Sequence, residues 1–260
     1  MEALHKQGKS HDALTVGYNL QCPATLAELT SRASIPASSL QYKIPRSCAE
    51  IKKMWSGYQD DEYTIQMSPQ CEPVRLFCHG MRTAKPQEYI TLDSGPDKNY
   101  ASFHRERLLN YESCSGKTNP SPQLTEKYWG TSRFNKIRID PSSGLIHRDD
   151  FTFSFHTGNP VKYGRAGDCF SAASKCHKGR FNIDLTGTGL RVRSDIEWEQ
   201  WGSPKIPHRL LSYRKSDDGT KVFGECGGSC GGCTPKNERL YLEPARCTKP
   251  NQQAGMAHNL

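Results

Sequence analysis

The run Ala166-Gly-Asp-Cys-Phe-Ser-Ala-Ala-Ser-Lys-Cys176 is followed, two residues later, by Gly179-Arg-Phe-Asn-Ile-Asp-Leu-Thr-Gly-Thr-Gly-Leu190. The first run sets Cys169 and Cys176 between glycines that permit tight turns. Bridged to each other, they would close a small loop worth about 2.5 kcal/mol; a metal pair is the less favoured use. The second run holds a short β-like stretch, Phe181–Leu185, broken by Gly187 and Gly189 before another at Leu190–Val192. Similar runs lie on both sides. Upstream are Glu62–Met67, Val74–Cys78, Tyr89–Leu92, Phe134–Ile139 and Phe151–Phe155; downstream are Leu210–Tyr213 and Lys221–Phe223. A charged, helix-capable stretch covers Ala49–Trp55, and the polar segment 112–126 with its two prolines reads as a surface loop. Short strands between Gly and Pro turns predict a mainly β fold of disulfide-stapled, short-stranded sheets, with a β-rich α+β arrangement as the alternative.

Composition supports staples. Apolar residues make up 35% of the chain, against an ordinary ~45–50%, so the core is modest. Eleven cysteines spread along 260 residues suit an oxidised framework better than one cytosolic metal cluster. The count is odd, and Cys22 and Cys247, nearest the ends, are the expected outliers. No stretch approaches the ~18–20 apolar residues of a membrane span. Residues 1–14 lack the apolar run of a signal peptide, so the expectation is a piece of a longer secreted chain or a truncated gene model. Residues 1–46 read as a flexible tail or linker, 47–240 as the domain and 241–260 as a polar tail.

The net charge is +8, with a pI near 8.9. Two basic groupings stand out: Arg133, Lys136, Arg138 and Arg148, and then Arg209, Arg214 and Lys215. Outside a cell such surfaces attract sulfated glycosaminoglycans or acidic membranes; the alternative is a merely solvated face. Nucleic acid is disfavoured, since no recognition motif is present.

The zinc-peptidase and dinucleotide-binding patterns are missing from the sequence. No His-Glu pair occurs, which rules out the His-Glu-x-x-His zinc motif; His104-Arg-Glu-Arg lacks the second histidine. Gly187-Thr-Gly189 lacks the third glycine of a dinucleotide loop. Asp60, Asp61 and Glu62 form an acidic turn, more often solvated than calcium-binding. Cys226, Cys230 and Cys233 on a glycine-rich loop could hold zinc with His208 as a fourth ligand, but disulfides are the expected use. Ser47-Cys48-Ala49-Glu50-Ile51, a turn, then Leu76-Phe77-Cys78 resembles the opening of fibrinogen-like domains, which implies a Cys48–Cys78 pair. A bridge of that span would contribute roughly 3.5 kcal/mol.

Taken together, Cys48–Ile51, Asp61–Tyr63, Phe77–Met81, Pro86–Leu92, Phe134–Arg138, Pro160–Ala173, Cys176–Leu190 and Asp217–Cys233 resemble the GON domain of secreted ADAMTS-type metalloproteases. They follow the family's order over roughly 48–235, and AGDCFSAASKC with GRFNIDLTGTGL is the most specific part. The resemblance implies a secreted, matrix-associated, non-catalytic interaction module with a fibrinogen-like N-terminal subdomain, and zinc only by association with a catalytic domain elsewhere. The alternative is a fragment of the zinc metalloendopeptidase itself. Family members often carry further cysteines after the position of Cys114, which this chain lacks. Cys114's partner is therefore open, with Cys71 a candidate. No permitted Asn-x-Ser/Thr sequon occurs.

Overall fold

The computed structural model describes residues 43–54, 57–109, 114–120, 129–171, 176–202 and 212–248. Its contacts separate Met1–Lys43 from Ile44–Leu260, and the elements below belong to the second unit. Most of the expected tail over 1–46 lies outside the described residues, as do Cys22, Arg209 and His208.

Helix α1 (Cys48–Met54) starts where Ser47 Oγ accepts the Glu50 amide at 3.1 Å, while the Glu50 carboxylate accepts the Arg46 amide at 2.7 Å. The two side chains cap the first turn from both sides. Cys48 and Ile51 face the core, and the Cys48 amide donates to Glu88 at 2.8 Å. Strands β1 (Asp61–Ile65), β2 (Val74–His79) and β3 (Gln87–Thr91) follow as an antiparallel meander. Next come β4 (Tyr100–His104), a small hairpin of β5 (Glu106–Leu108) with β6 (Thr118–Pro120), and β7 (Gly130–Phe134). β8 (Lys136–Ile139) and β9 (Ile146–His147) return to the first sheet, whose order is β1-β2-β3-β8-β9.

The remaining strands are β10 (Ser154–Gly158), β11 (Ala166–Asp168), β12 (Gly179–Asp184), β13 (Leu190–Val192), β14 (Trp198–Trp201), β15 (Ser212–Lys215), β16 (Lys221–Cys226), β17 (Gly231–Pro235) and β18 (Leu242–Pro244). β13 pairs β18. The others join β4 and β7 in a nine-stranded sheet, ordered β14-β17-β11-β4-β12-β16-β15 with β7 and β10 continuing from β4. The fold is mainly β, as expected.

Alternation builds the core. In β2 Val74, Leu76 and Cys78 point inward, in β8 Ile137 and Ile139, and in β16 Val222 and Cys226. They meet Phe134, Tyr163, Phe181, Ile183 and Leu185, all fully buried. The expected strand Phe134–Ile139 is split: Asn135 carries the chain from the large sheet into the small one, its amide donating to Phe153 O and its carbonyl accepting from Leu92.

Strands β11 (Ala-Gly-Asp) and β17 (Gly-Gly-Cys-Thr-Pro) are buried at every residue, though neither shows a strand-like hydrophobic pattern. Close approach is the reason: a Cβ on Gly232 would stand 2.2 Å from the Ala166 carbonyl oxygen, and one on Gly167 2.5 Å from the Phe103 ring. Part of the segment 241–260, expected as a polar tail, is ordered against the sheets. Leu242–Pro244 is a strand, Glu72 N–H donates to Arg246 O at 2.9 Å, and Thr248 N–H donates to Gln70 O at 2.7 Å.

Candidate interaction surface

Five disulfides pair the described cysteines: Cys48–Cys78, Cys71–Cys247, Cys114–Cys176, Cys169–Cys230 and Cys226–Cys233. Cys114 thus takes Cys176 rather than Cys71, and Cys169 takes Cys230 rather than closing a local loop with Cys176. Cys247, an expected outlier, is bridged to Cys71. Because Cys226, Cys230 and Cys233 are all oxidised, none offers a thiolate to a metal. Among the described residues no group of three or more His, Cys, Asp or Glu could hold a metal ion.

Asp168 organises the cysteine–glycine cluster. It is fully buried, and its carboxylate accepts four amides: Phe170 at 2.8 Å, Lys178 at 2.6 Å, Gly179 at 2.9 Å and Gly228 at 2.7 Å. Gly227 has φ +149°, and a Cβ there would lie 2.0 Å from Asp168 Oδ2, so only glycine fits beside the carboxylate. Nothing in the composition flags Asp168; the glycines around it are the available signal.

The acidic turn is spent on structure. Asp60 accepts the Gly80 and Met81 amides at 2.9 and 2.7 Å and pairs with His79 Nδ1 at 2.9 Å. Burial pushes its carboxyl up, but those bonds and the histidine prevail and hold it below its usual range. Glu62 accepts from Thr91 Oγ1 and faces Lys136 at 3.4 Å. Asp61 accepts the Glu62 amide at 2.7 Å.

The described members of the two predicted basic groupings do not stay together. Arg148 is a correction. Its side chain is 3% exposed, with Nε donating to Tyr163 O at 2.7 Å, Nη2 to Thr234 Oγ1 at 2.8 Å and Nη1 to Glu238 at 3.0 Å. Burial pulls its pKa down to about 10 against the pull of Glu238. A guanidinium so enclosed serves the core and is unavailable to a soluble anion. Lys136 is half-buried, engaged with Thr91 and Glu62 and lying 4.3 Å from the Phe77 ring centroid. Arg138 pairs with Asp150 at 3.6 Å. Lys215 turns away and donates to Arg193 O at 2.8 Å, where burial lowers its pKa.

Arg133 and Arg214 remain on the solvent side of the nine-stranded sheet. Arg133 pairs with the exposed Asp97 at 2.8 Å and lies 6.0 Å from the Tyr100 ring centroid; Arg214 lies 5.2 Å from that of Phe223. They belong to one row of directly opposed residues crossing the strands, with Tyr100, Asn182 and Phe223 between them. The aromatic members of that row carry no periodic signal, because they come from strands distant in sequence.

The GON-domain family profile matches residues 45–244, most of the chain. The chain belongs to the GON domain family. This GON domain is 34% identical over 194 residues to human "A disintegrin and metalloproteinase with thrombospondin motifs 20", a match that covers 73% of the chain and 10% of the relative. It is 34% identical over 200 residues to the Caenorhabditis elegans protein "A disintegrin and metalloproteinase with thrombospondin motifs gon-1", covering 74% of the chain and 9% of the relative. The mouse counterpart of the human relative is 32% identical over 198 residues. The chain therefore spans about a tenth of the length of these relatives. The GON domain is a non-catalytic region of such proteins. No solved structure matches the chain. Among the described residues no helix is long and apolar enough to cross a membrane.

Proposed function

We propose that this GON domain is a non-catalytic extracellular interaction module that places or traffics a larger matrix protein, and that it does so by binding sulfated polyanions. Membership of a non-catalytic domain family carries the reading. The net charge of +8 supports a polyanionic partner, and five disulfides suit an oxidising compartment. The test is retention of the chain on immobilised heparin at physiological salt. Retention that weakens steadily as salt rises is expected; elution at low salt would end the polyanion reading.

The relatives' names favour a second reading. In it the chain is part of a zinc-dependent metalloendopeptidase whose catalytic domain lies outside these residues. Sequencing the full transcript decides it: an upstream His-Glu-x-x-His would support this parentage, and its absence would remove it.

A further inference from the structure

From the strand register we infer that the solvent face of the nine-stranded sheet carries a linear binding site for a sulfated glycan chain. The residues are Phe155, Arg133, Tyr100, Asn182, Phe223 and Arg214. This inference rests on the polyanion reading above and names its site.

The register is continuous. Phe155 of β10 stands opposite Arg133 of β7, and Arg133 opposite Tyr100 of β4. Tyr100 stands opposite Asn182 of β12, Asn182 opposite Phe223 of β16, and Phe223 opposite Arg214 of β15. Directly opposed residues share a face, so six side chains from six adjacent strands form one row. Ring and polar group alternate along it, and neither acidic residue nor glycine interrupts it. At one strand spacing per step, successive rings stand about 9.5 Å apart and the row is about 24 Å long.

The other face of these strands is core: Phe134, Ala101, Phe181 and Val222 are buried there. The row itself is open to solvent, with Phe155 51% exposed, Arg214 exposed and the other four partly exposed. An exposed row could merely stabilise the sheet, since cross-strand pairs contribute ~0.2–1 kcal/mol each. That role does not account for an exposed phenylalanine at the sheet edge, nor for a cation beside each of two rings. Aromatic faces with a regular spacing suit the C–H faces of sugar rings in an extended polymer. Arg133 and Arg214 supply separated donors for sulfate or carboxylate groups. Asn182, whose Nδ2 donates to the Lys98 carbonyl at 2.6 Å, offers its amide oxygen to a hydroxyl. Charge complementarity therefore selects an anionic polysaccharide over a neutral one.

Asp97 is a built-in competitor, since its exposed carboxylate holds Arg133. Removing it frees a guanidinium without touching the row.

The experiment is calorimetric titration of the full chain with a defined heparin oligosaccharide at several salt concentrations. Phe155→Ser with Phe223→Ser is expected to weaken binding about tenfold, equivalent to ~1.4 kcal/mol, with unchanged salt dependence. Arg133→Gln with Arg214→Gln is expected to weaken binding and flatten its salt dependence. Asp97→Asn is expected to tighten binding about two- to threefold, the scale of one surface ion pair; misfolding would not produce such a gain. If wild-type chain binds and natively melting variants all stay within twofold of it, the row is overturned while the polyanion reading stands. If wild-type chain does not bind, both fall.

Discussion

Cys71 and Cys247 face each other across an antiparallel bridge, their Cα atoms 3.8 Å apart although 176 residues separate them in sequence. The bridge fastens the segment after β18 to the β1–β2 loop. Its neighbours Glu72 N–H to Arg246 O and Thr248 N–H to Gln70 O make it the centre of a short two-stranded contact. A groove of about 610 Å³ lies over it, lined by residues 69–73 and 245–248.

Replacing both cysteines by alanine should therefore destabilise the domain substantially. Loop entropy for so long a span sets an upper figure of about 5 kcal/mol; the other bridges already restrict the unfolded chain, so about 2–4 kcal/mol is expected. Denaturant unfolding of the double variant checks this. A midpoint equal to that of wild type would mean the bridge adds nothing to the fold.

Asp168 offers a second test, because its four amide bonds are the internal scaffold of the cysteine–glycine cluster. Asn at 168 keeps the size but turns an NH2 toward donors and strips the charge from the remaining bonds. A loss of about 2–4 kcal/mol is expected, since bonds to charged groups contribute ~1.5–3 kcal/mol each and amides left unpaired cost more. Peptide mapping of the purified variant should also find mispaired Cys169, Cys226, Cys230 and Cys233. Native pairing together with native stability would refute the role.

The bridges and strands differ in how far the sequence discloses them. Cys48–Cys78 joins a helix to a strand within one local unit; the resemblance to the opening of fibrinogen-like domains implies it, and the alternation Val74, Leu76, Cys78 is visible in the residues. Short alternating runs likewise revealed most of the first sheet. β11 and β17 left no such trace, because backbone crowding in their surroundings demands glycine and erases the hydrophobic pattern. Pairings such as Cys114–Cys176 and Cys169–Cys230 join segments about sixty residues apart, and no spacing rule ranks them. The binding row is the least legible feature. Its six residues come from strands running from Tyr100 to Arg214, and only the register aligns them.

Arg148 separates charge that binds from charge that holds the fold. Arg148→Met should lose about 2–4 kcal/mol of stability by leaving the buried Tyr163 carbonyl and Thr234 Oγ1 without their guanidinium donor, while half-exposed Glu238 keeps Lys162. Arg148→Lys should recover part of this, since one ammonium cannot reach all three acceptors. Neither variant should alter heparin affinity at temperatures where it remains folded. A drop in affinity matching that of the Arg133 and Arg214 variants would return Arg148 to the binding surface.

Acid stability should follow two opposed sets of carboxyls. Burial pushes Asp60, Asp140, Asp150 and Glu238 up, but hydrogen bonds and neighbouring cations prevail and leave all four below their ordinary range. A folded pKa below the unfolded one gives stability that is present above the unfolded pKa and lost as pH falls through the folded one. Glu88 behaves oppositely. Burial raises its pKa despite the Cys48 amide bond, so its charged form opposes folding at neutral pH and its protonation favours it. Wild-type stability should accordingly be level near neutrality and decline below about pH 4. Glu88→Gln removes the buried charge and keeps an oxygen for the Cys48 amide, so the variant should be the more stable at pH 7. That advantage should shrink as pH falls through the raised pKa, because protonated glutamate and glutamine then present similar groups. Thermal melts of both proteins from pH 7 to pH 3 measure the difference directly. An advantage independent of pH would show that Glu88 carries no buried charge.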